Sequence, residues 1–146
     1  MGKHCVLVVD DEPALREMLQ SALEGVGYRV RVAADAAEGR REVDQGGIDL
    51  VLLDAVLPGE SGPSFGEYVA RDKKLPLVFL SGDPGALREL RSAPFVRLGK
   101  PFRLTQVLHV IDQELQAVAR RTTKNLVVGA KAPGPAVKDL PEVLTA

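Results

Sequence analysis

Short apolar runs alternate with longer stretches of helical periodicity along this chain, and the alternation recurs five times. That pattern predicts βα units assembled into a parallel sheet with helices on both faces. Cys5 to Val9 and Ile48 to Leu53 are almost wholly aliphatic, as central strands covered on two sides must be. Leu77 to Leu80 gives a fourth strand of the same kind. The second strand, Tyr28 to Val32, alternates polar and apolar, so one of its faces meets solvent and its arginines discourage pairing with another sheet. It belongs at an edge. Phe95 to Leu98 is the other weakly apolar run and belongs at the opposite edge, which favours a strand order of 2-1-3-4-5.

The helices carry readable punctuation. Pro13 suits a first turn, and Leu15, Met18, Leu19, Ala22 and Leu23 fall on one face before Gly25 and Gly27. Asp35 with Glu38, and Ser64 with Glu67, have the spacing of capping boxes and mark the second and third helices. Asp83-Pro84 opens a fourth helix that Ser92-Ala93-Pro94 keeps short. The fifth is the plainest: Leu104, Val107, Leu108, Ile111, Leu115 and Val118 recur at helical spacing. From about Thr122 the pattern fails, and Pro133, Pro135 and Pro141 with Gly129 and Gly134 predict a flexible tail or linker over 122–146 behind a domain of residues 1–121.

Composition narrows the picture. A chain of 146 residues suits one domain with a proper core. Cys5, the one cysteine, starts an apolar run and predicts a buried, reduced thiol in a cytoplasmic protein. No span approaches the ~18 apolar residues of a membrane helix, and the opening residues are unlike a secretory signal. The net charge of −1 offers nucleic acid no electrostatic footprint. Residues 1–117 carry 14 Lys+Arg against 18 Asp+Glu, while 118–146 carry 5 against 2, so the basic excess sits in the tail.

Candidate chemistry follows from where the polar residues fall. Ligands of an open parallel sheet bind beyond the carboxyl ends of its strands, where the strand order reverses. Asp10 and Asp11 follow strand one, Asp54 ends strand three, Ser81 ends strand four, and Lys100 follows strand five. Taken singly, the aspartates also suit an N-cap pair and a loop acid, Ser81 a helix cap, and Lys100 a solvated cation. Five such residues on one rim favour a site. Three carboxylates within ~5 Å repel by about 3 kcal/mol per pair at an effective dielectric near 20, so the cluster calls for a cation. Mg²⁺ suits oxygen donors best, with Mn²⁺ as the alternative, and no histidine or second cysteine supports zinc. Asp54 is then the candidate nucleophile toward phosphorus, Lys100 offsets charge on the transferred oxygens, and Ser81 donates a hydrogen bond.

From about Lys3 to Arg121 the chain resembles the receiver domain of two-component response regulators. The matching stretches are Val8-Val9-Asp10-Asp11-Glu12-Pro13, Leu53-Asp54-Ala55-Val56-Leu57-Pro58-Gly59-Glu60-Ser61-Gly62, Leu80-Ser81-Gly82 and Gly99-Lys100-Pro101-Phe102. The resemblance implies a flavodoxin-like (βα)5 doubly wound fold like that of the chemotaxis regulator. It implies that Asp54 accepts a phosphoryl group from a histidine kinase or histidine phosphotransfer protein. Asp11, Asp54 and the Val56 backbone carbonyl would hold Mg²⁺, with Asp10 acting through a metal-bound water. Lys100 and Ser81 would engage the phosphoryl group, and a cis Lys100-Pro101 bond is expected. In this reading the chain is a signalling domain that catalyses only its own phosphorylation and dephosphorylation, with a downstream protein as target. The family's usual dimer surface, on the fourth and fifth helices, offers a homodimer as an expectation.

One position departs from the family. Three residues before the lysine, where an aromatic is usual, stands Arg97. A guanidinium cannot fill an apolar pocket as a ring does, which puts the usual aromatic switch in doubt and leaves Arg97 a surface or a modified signalling role. Val56 and Asp83, which flank the path of a hydrolytic water in the family, bear on phosphoryl lifetime. Alternatives are a receiver fragment of a hybrid kinase or longer regulator, a non-phosphorylated interaction module, and a Mg²⁺-dependent phosphatase with an aspartyl nucleophile. The phosphatase family places its two acids as Asp-Xaa-Asp and adds a cap, whereas Asp10 and Asp11 are adjacent. Flavin binding lacks a Ser/Thr/Gly-rich loop after strand one. No further domain fits after residue 121, which favours a stand-alone receiver.

Overall fold

The computed structural model describes residues 3–87 and 95–127. Five strands, β1 (Cys5–Val9), β2 (Arg29–Ala33), β3 (Leu50–Asp54), β4 (Leu77–Ser81) and β5 (Val96–Gly99), pair in parallel in the order β2-β1-β3-β4-β5. Every pairing is parallel, so each connection must cross a face of the sheet.

Alternation along the strands sorts the core into two layers. Leu7, Val9, Val51, Leu53, Leu77 and Phe79 join Phe65 and Val69 on one face, under helices α2 (Ala36–Asp44) and α3 (Gly62–Glu67). Val6, Val8, Leu50, Leu52, Val78, Leu80 and Leu98 join Leu19, Leu23, Val107 and Ile111 on the other, under α1 (Pro13–Gly25) and α4 (Leu104–Val127). The second layer takes the even-numbered strand residues and the first the odd, as the two-residue repeat of a strand requires. Close approach fixes α2 on α3: a Cβ on Gly39 would stand 2.8 Å from Cζ of Phe65.

Several local expectations are corrected. The third helix starts at Gly62 under a Ser61 cap, whose Oγ accepts the Ser64 N–H at 3.1 Å, and not under Ser64. Ser64 instead donates its hydroxyl to Glu60 at 2.7 Å, and the helix passes into a π-helical turn over Tyr68–Asp72. Asp35 does cap α2 through the Glu38 N–H at 2.9 Å, while the Glu38 carboxylate reaches back to Ala34 N at 2.7 Å. Met18 is exposed, because the buried stripe of α1 is centred on Leu19 and Leu23. On β2, Arg31 does not simply face water: it is half-buried and donates to Glu42 and to the carbonyls of Glu42 and Gly46. Asp83-Pro84 leads into a single 3₁₀ turn, Pro84–Leu87, and the rest of the expected fourth helix, 88–94, lies outside the described residues. The last helix continues to Val127, past the boundary at 121 that the failing apolar pattern suggested. Once a helix is nucleated, each further residue adds a backbone bond at little cost, so the helix can outrun its apolar repeat. The remaining tail, 128–146, also lies outside the described residues.

Candidate functional site

Strand ends place the polar residues. β1, β3, β4 and β5 run parallel, so Asp10, Asp54, Ser81 and Lys100 all emerge on one rim, and Asp11 follows Asp10. Asp10 is fully buried, Asp54 and Ser81 are nearly so, and Asp11 is exposed. Each of Asp10, Asp11 and Asp54 offers a carboxylate oxygen within 4.8 Å of the others. The sequence-selected acids therefore meet.

Local bonding orients them. Asp10 Oδ1 accepts the Glu12 N–H at 2.9 Å, and Arg16 donates to the Asp10 carbonyl at 2.8 Å. The N-cap position of α1 is Glu12, which makes no side-chain cap bond, so the acidic pair is not consumed in capping. Asp10 Oδ2 is buried with no hydrogen-bond partner, an arrangement that is costly unless a further group completes it. Lys100 Nζ lies 3.7 Å from that oxygen and 3.5 Å from Asp54 Oδ2. Burial, and then the charges of Asp54 and Asp11, hold the Asp10 carboxyl above the ordinary carboxylate range, although the Glu12 N–H and Lys100 pull the other way. A divalent cation among the three acids would reverse that balance. The orphaned oxygen and the all-oxygen donor set both fit Mg²⁺.

The rest of the rim is equally specific. Asp54 Oδ1 accepts the Val56 N–H at 3.1 Å, and Val56 itself is exposed beside it. Ser81 Oγ donates to the Asp83 carbonyl at 2.8 Å and accepts the Asp83 N–H at 3.0 Å. Lys100 N donates to the Ser81 carbonyl at 2.9 Å, which ties the β4 and β5 ends together, and the Lys100–Pro101 bond is cis. Arg97 is exposed on β5, in register with Phe79. Phe95, two residues earlier, packs edge-on against Phe79 with ring centres 5.4 Å apart. The sequence reading assigned no role to Arg16 or Arg40, although Arg16 had a signal, a cation one turn into α1 beside an acidic pair.

Comparison with known proteins agrees with this geometry. The profile of the response regulator receiver domain matches residues 6–112. The DNA-binding transcriptional regulator NtrC of Rhizobium meliloti is 34% identical over 82% of this chain and 25% of its own length. The DNA-binding response regulator MtrA of Mycolicibacterium smegmatis is 40% identical over 85% of this chain and 56% of its own length. The chain thus spans a quarter to about half of these relatives. The structure of the response regulator TrrA of Thermotoga maritima, in complex with Mg²⁺ and BeF, superposes with a TM-score of 0.68 at 29% identity, over 75% of this chain and 97% of that one. The chain belongs to the response regulator receiver family, the phosphoacceptor domains of two-component signalling.

Proposed function

We propose that Asp54 is the phosphoacceptor, and that the domain takes its phosphoryl group from a histidine kinase or histidine phosphotransfer protein. The observation that carries this is the convergence of three carboxylates on one rim with a lysine ammonium 3.5 Å from Asp54. An Asp54 oxygen attacks phosphorus as the phosphorus–nitrogen bond to the donor imidazole breaks, and the imidazole nitrogen keeps the bonding electrons. Lys100, already aimed at Asp54 Oδ2, pairs with an oxygen of the arriving phosphoryl group. Ser81 donates to a second oxygen by turning its hydroxyl away from the Asp83 carbonyl it now serves. Receiver domains generally bind Mg²⁺ at an acidic pocket. Here Asp11, Asp54 and the Val56 carbonyl would hold it, with Asp10 acting through water, and it would offset the negative charge gathered as phosphorus changes partners.

Hydrolysis by water ends the signal, with Asp54 regenerated and inorganic phosphate released. Val56 offers that water no polar side-chain atom. Output passes to a downstream protein. With an arginine exposed at position 97, no aromatic ring there turns inward, and the β5 edge presents positive charge instead.

The test is phosphorylation by phosphoramidate or acetyl phosphate with Mg²⁺, read by intact mass, with Asp54→Asn as the control. One phosphoryl group on the parent chain and none on Asp54→Asn supports the reading. An unmodified parent chain, or an equally modified variant, ends it. Profiling against purified histidine kinases then separates a kinase-fed receiver from a module that only binds.

A further inference from the structure

A second polar cluster stands on the α2–α3 face, outside the residues assigned above. Arg40 grips Glu60 with two prongs, Nε to Oε1 at 3.0 Å and Nη2 to Oε2 at 2.6 Å. The Ser64 hydroxyl adds a bond to the same Oε2 at 2.7 Å. Behind the pair, the guanidinium lies 4.2 Å from the Tyr68 ring centre, and the Tyr68 hydroxyl donates to Asp44, which also pairs with Lys73. Arg40 is therefore held before it meets Glu60, and a preorganised fork loses little freedom on pairing.

Glu60 sits in the link from Asp54 to α3. The far end of that link is fixed by close contact, since a Cβ on Gly62 would fall 2.5 Å from the Asp54 carbonyl oxygen. Leu57 anchors its middle in the core. Its outward arm, exposed at Pro58 and Gly59, is tied to α2 through Glu60. The near end carries the Val56 N–H that holds Asp54 Oδ1.

We propose that Arg40 and Glu60 are positioning residues for phosphoryl transfer, holding the arm of residues 56–61 against α2 so that Val56 meets Asp54 in reacting geometry. This rests on the assignment of Asp54 as acceptor. Small displacements of a reacting group are expensive in rate, about 10²-fold for ~1 Å, so a tie remote from the chemistry can matter to it.

The experiment compares the full chain with Glu60→Gln, Arg40→Lys and the exchanged pair Arg40→Glu with Glu60→Arg. Phosphorylation by phosphoramidate is followed at saturating donor and Mg²⁺, Mg²⁺ affinity is measured by calorimetry, and the folded fraction is checked by circular dichroism at the assay temperature. A positioning role predicts a maximal rate about 5- to 20-fold lower for folded Glu60→Gln, a smaller loss for Arg40→Lys, and partial recovery in the exchanged pair. Rates within about twofold of the parent in folded variants, or losses that merely follow the unfolded fraction, overturn it. Should Glu60→Gln fail to fold, Arg40→Lys decides alone, because it keeps the charge and loses the second prong. A parent chain that takes no label at all defeats the Asp54 assignment instead, whereas a labelled parent with unaffected variants defeats only the clamp.

Discussion

The ammonium of Lys100 stands 3.5 Å from Oδ2 of Asp54, although 46 residues separate them in the chain. The same cation faces the buried, unpartnered Oδ2 of Asp10 at 3.7 Å. A phosphoryl group arriving at Asp54 meets a positive charge already in place. Lys100→Ala should slow phosphorylation by phosphoramidate about 10²-fold at saturating Mg²⁺, in line with the loss of one preorganised electrostatic partner. Lys100→Arg should recover part of that, since a planar fork replaces a compact ammonium. Initial rates by intact mass would show it, and a rate unchanged in Lys100→Ala would remove the lysine from the chemistry.

Gly62→Ala tests how tightly the loop is folded onto the acceptor. The added methyl would stand 2.5 Å from the Asp54 carbonyl oxygen and 2.6 Å from that of Ala55, and both neighbours are backbone that cannot rotate aside. The expected cost is about 1–3 kcal/mol in urea unfolding, together with slower phosphorylation because the strain falls on Asp54 itself. A normal midpoint with a normal rate would mean that α3 moves freely relative to β3.

Much of this was legible because strands and ends of strands follow two simple rules. Alternation and continuous apolar runs gave five strands in the observed order, since Arg29 and Arg31 could only be tolerated at an edge. The acids and lysine at strand ends then had to share a rim. What escaped depended on side chains crossing between elements. Ser61 and Ser64 both lie near the start of α3, and either could cap it by residue type; in the fold Ser61 accepts the Ser64 N–H while the Ser64 hydroxyl serves Glu60. The Arg40–Glu60 pair spans 20 residues and joins a helix to a loop, so no local periodicity marks it. The run of α4 to Val127 escaped for a different reason: the apolar repeat of the sequence breaks after Val118, while a helix already nucleated propagates at little cost.

The Arg40 guanidinium beside Glu60 holds the Glu60 carboxyl below its ordinary value of 4.5, helped by the Ser64 hydroxyl and opposed by burial. A carboxyl depressed in the folded state contributes stability that is present above 4.5 and lost as pH falls through its folded value. The pair is partly exposed, so its contribution is about 1 kcal/mol at most. Glu60→Gln should therefore lower unfolding free energy by about that much near neutral pH, with the gap to the parent chain closing as pH falls below 4.5 and through the folded value of Glu60. Urea titrations of both proteins across that range would test it, and a gap independent of pH would assign the loss to packing.

Asp11 is exposed, yet it offers an oxygen within 4.8 Å of those of Asp10 and Asp54. Without a cation, its charge adds to the repulsion that raises the Asp10 carboxyl. Asp11→Asn should thus be as stable as the parent chain in chelator, or more stable by about 1 kcal/mol or less. Magnesium reverses the order. A ligand that binds only the folded chain stabilises it by about 2.7 kcal/mol at a hundred times its dissociation constant, and the parent chain should gain on that scale. The variant, lacking one charged donor, should gain much less at the same concentration. Melting curves with and without Mg²⁺ separate the two effects, because repulsion alone predicts a variant that is the more stable under both conditions, whereas metal ligation by Asp11 requires the curves to cross.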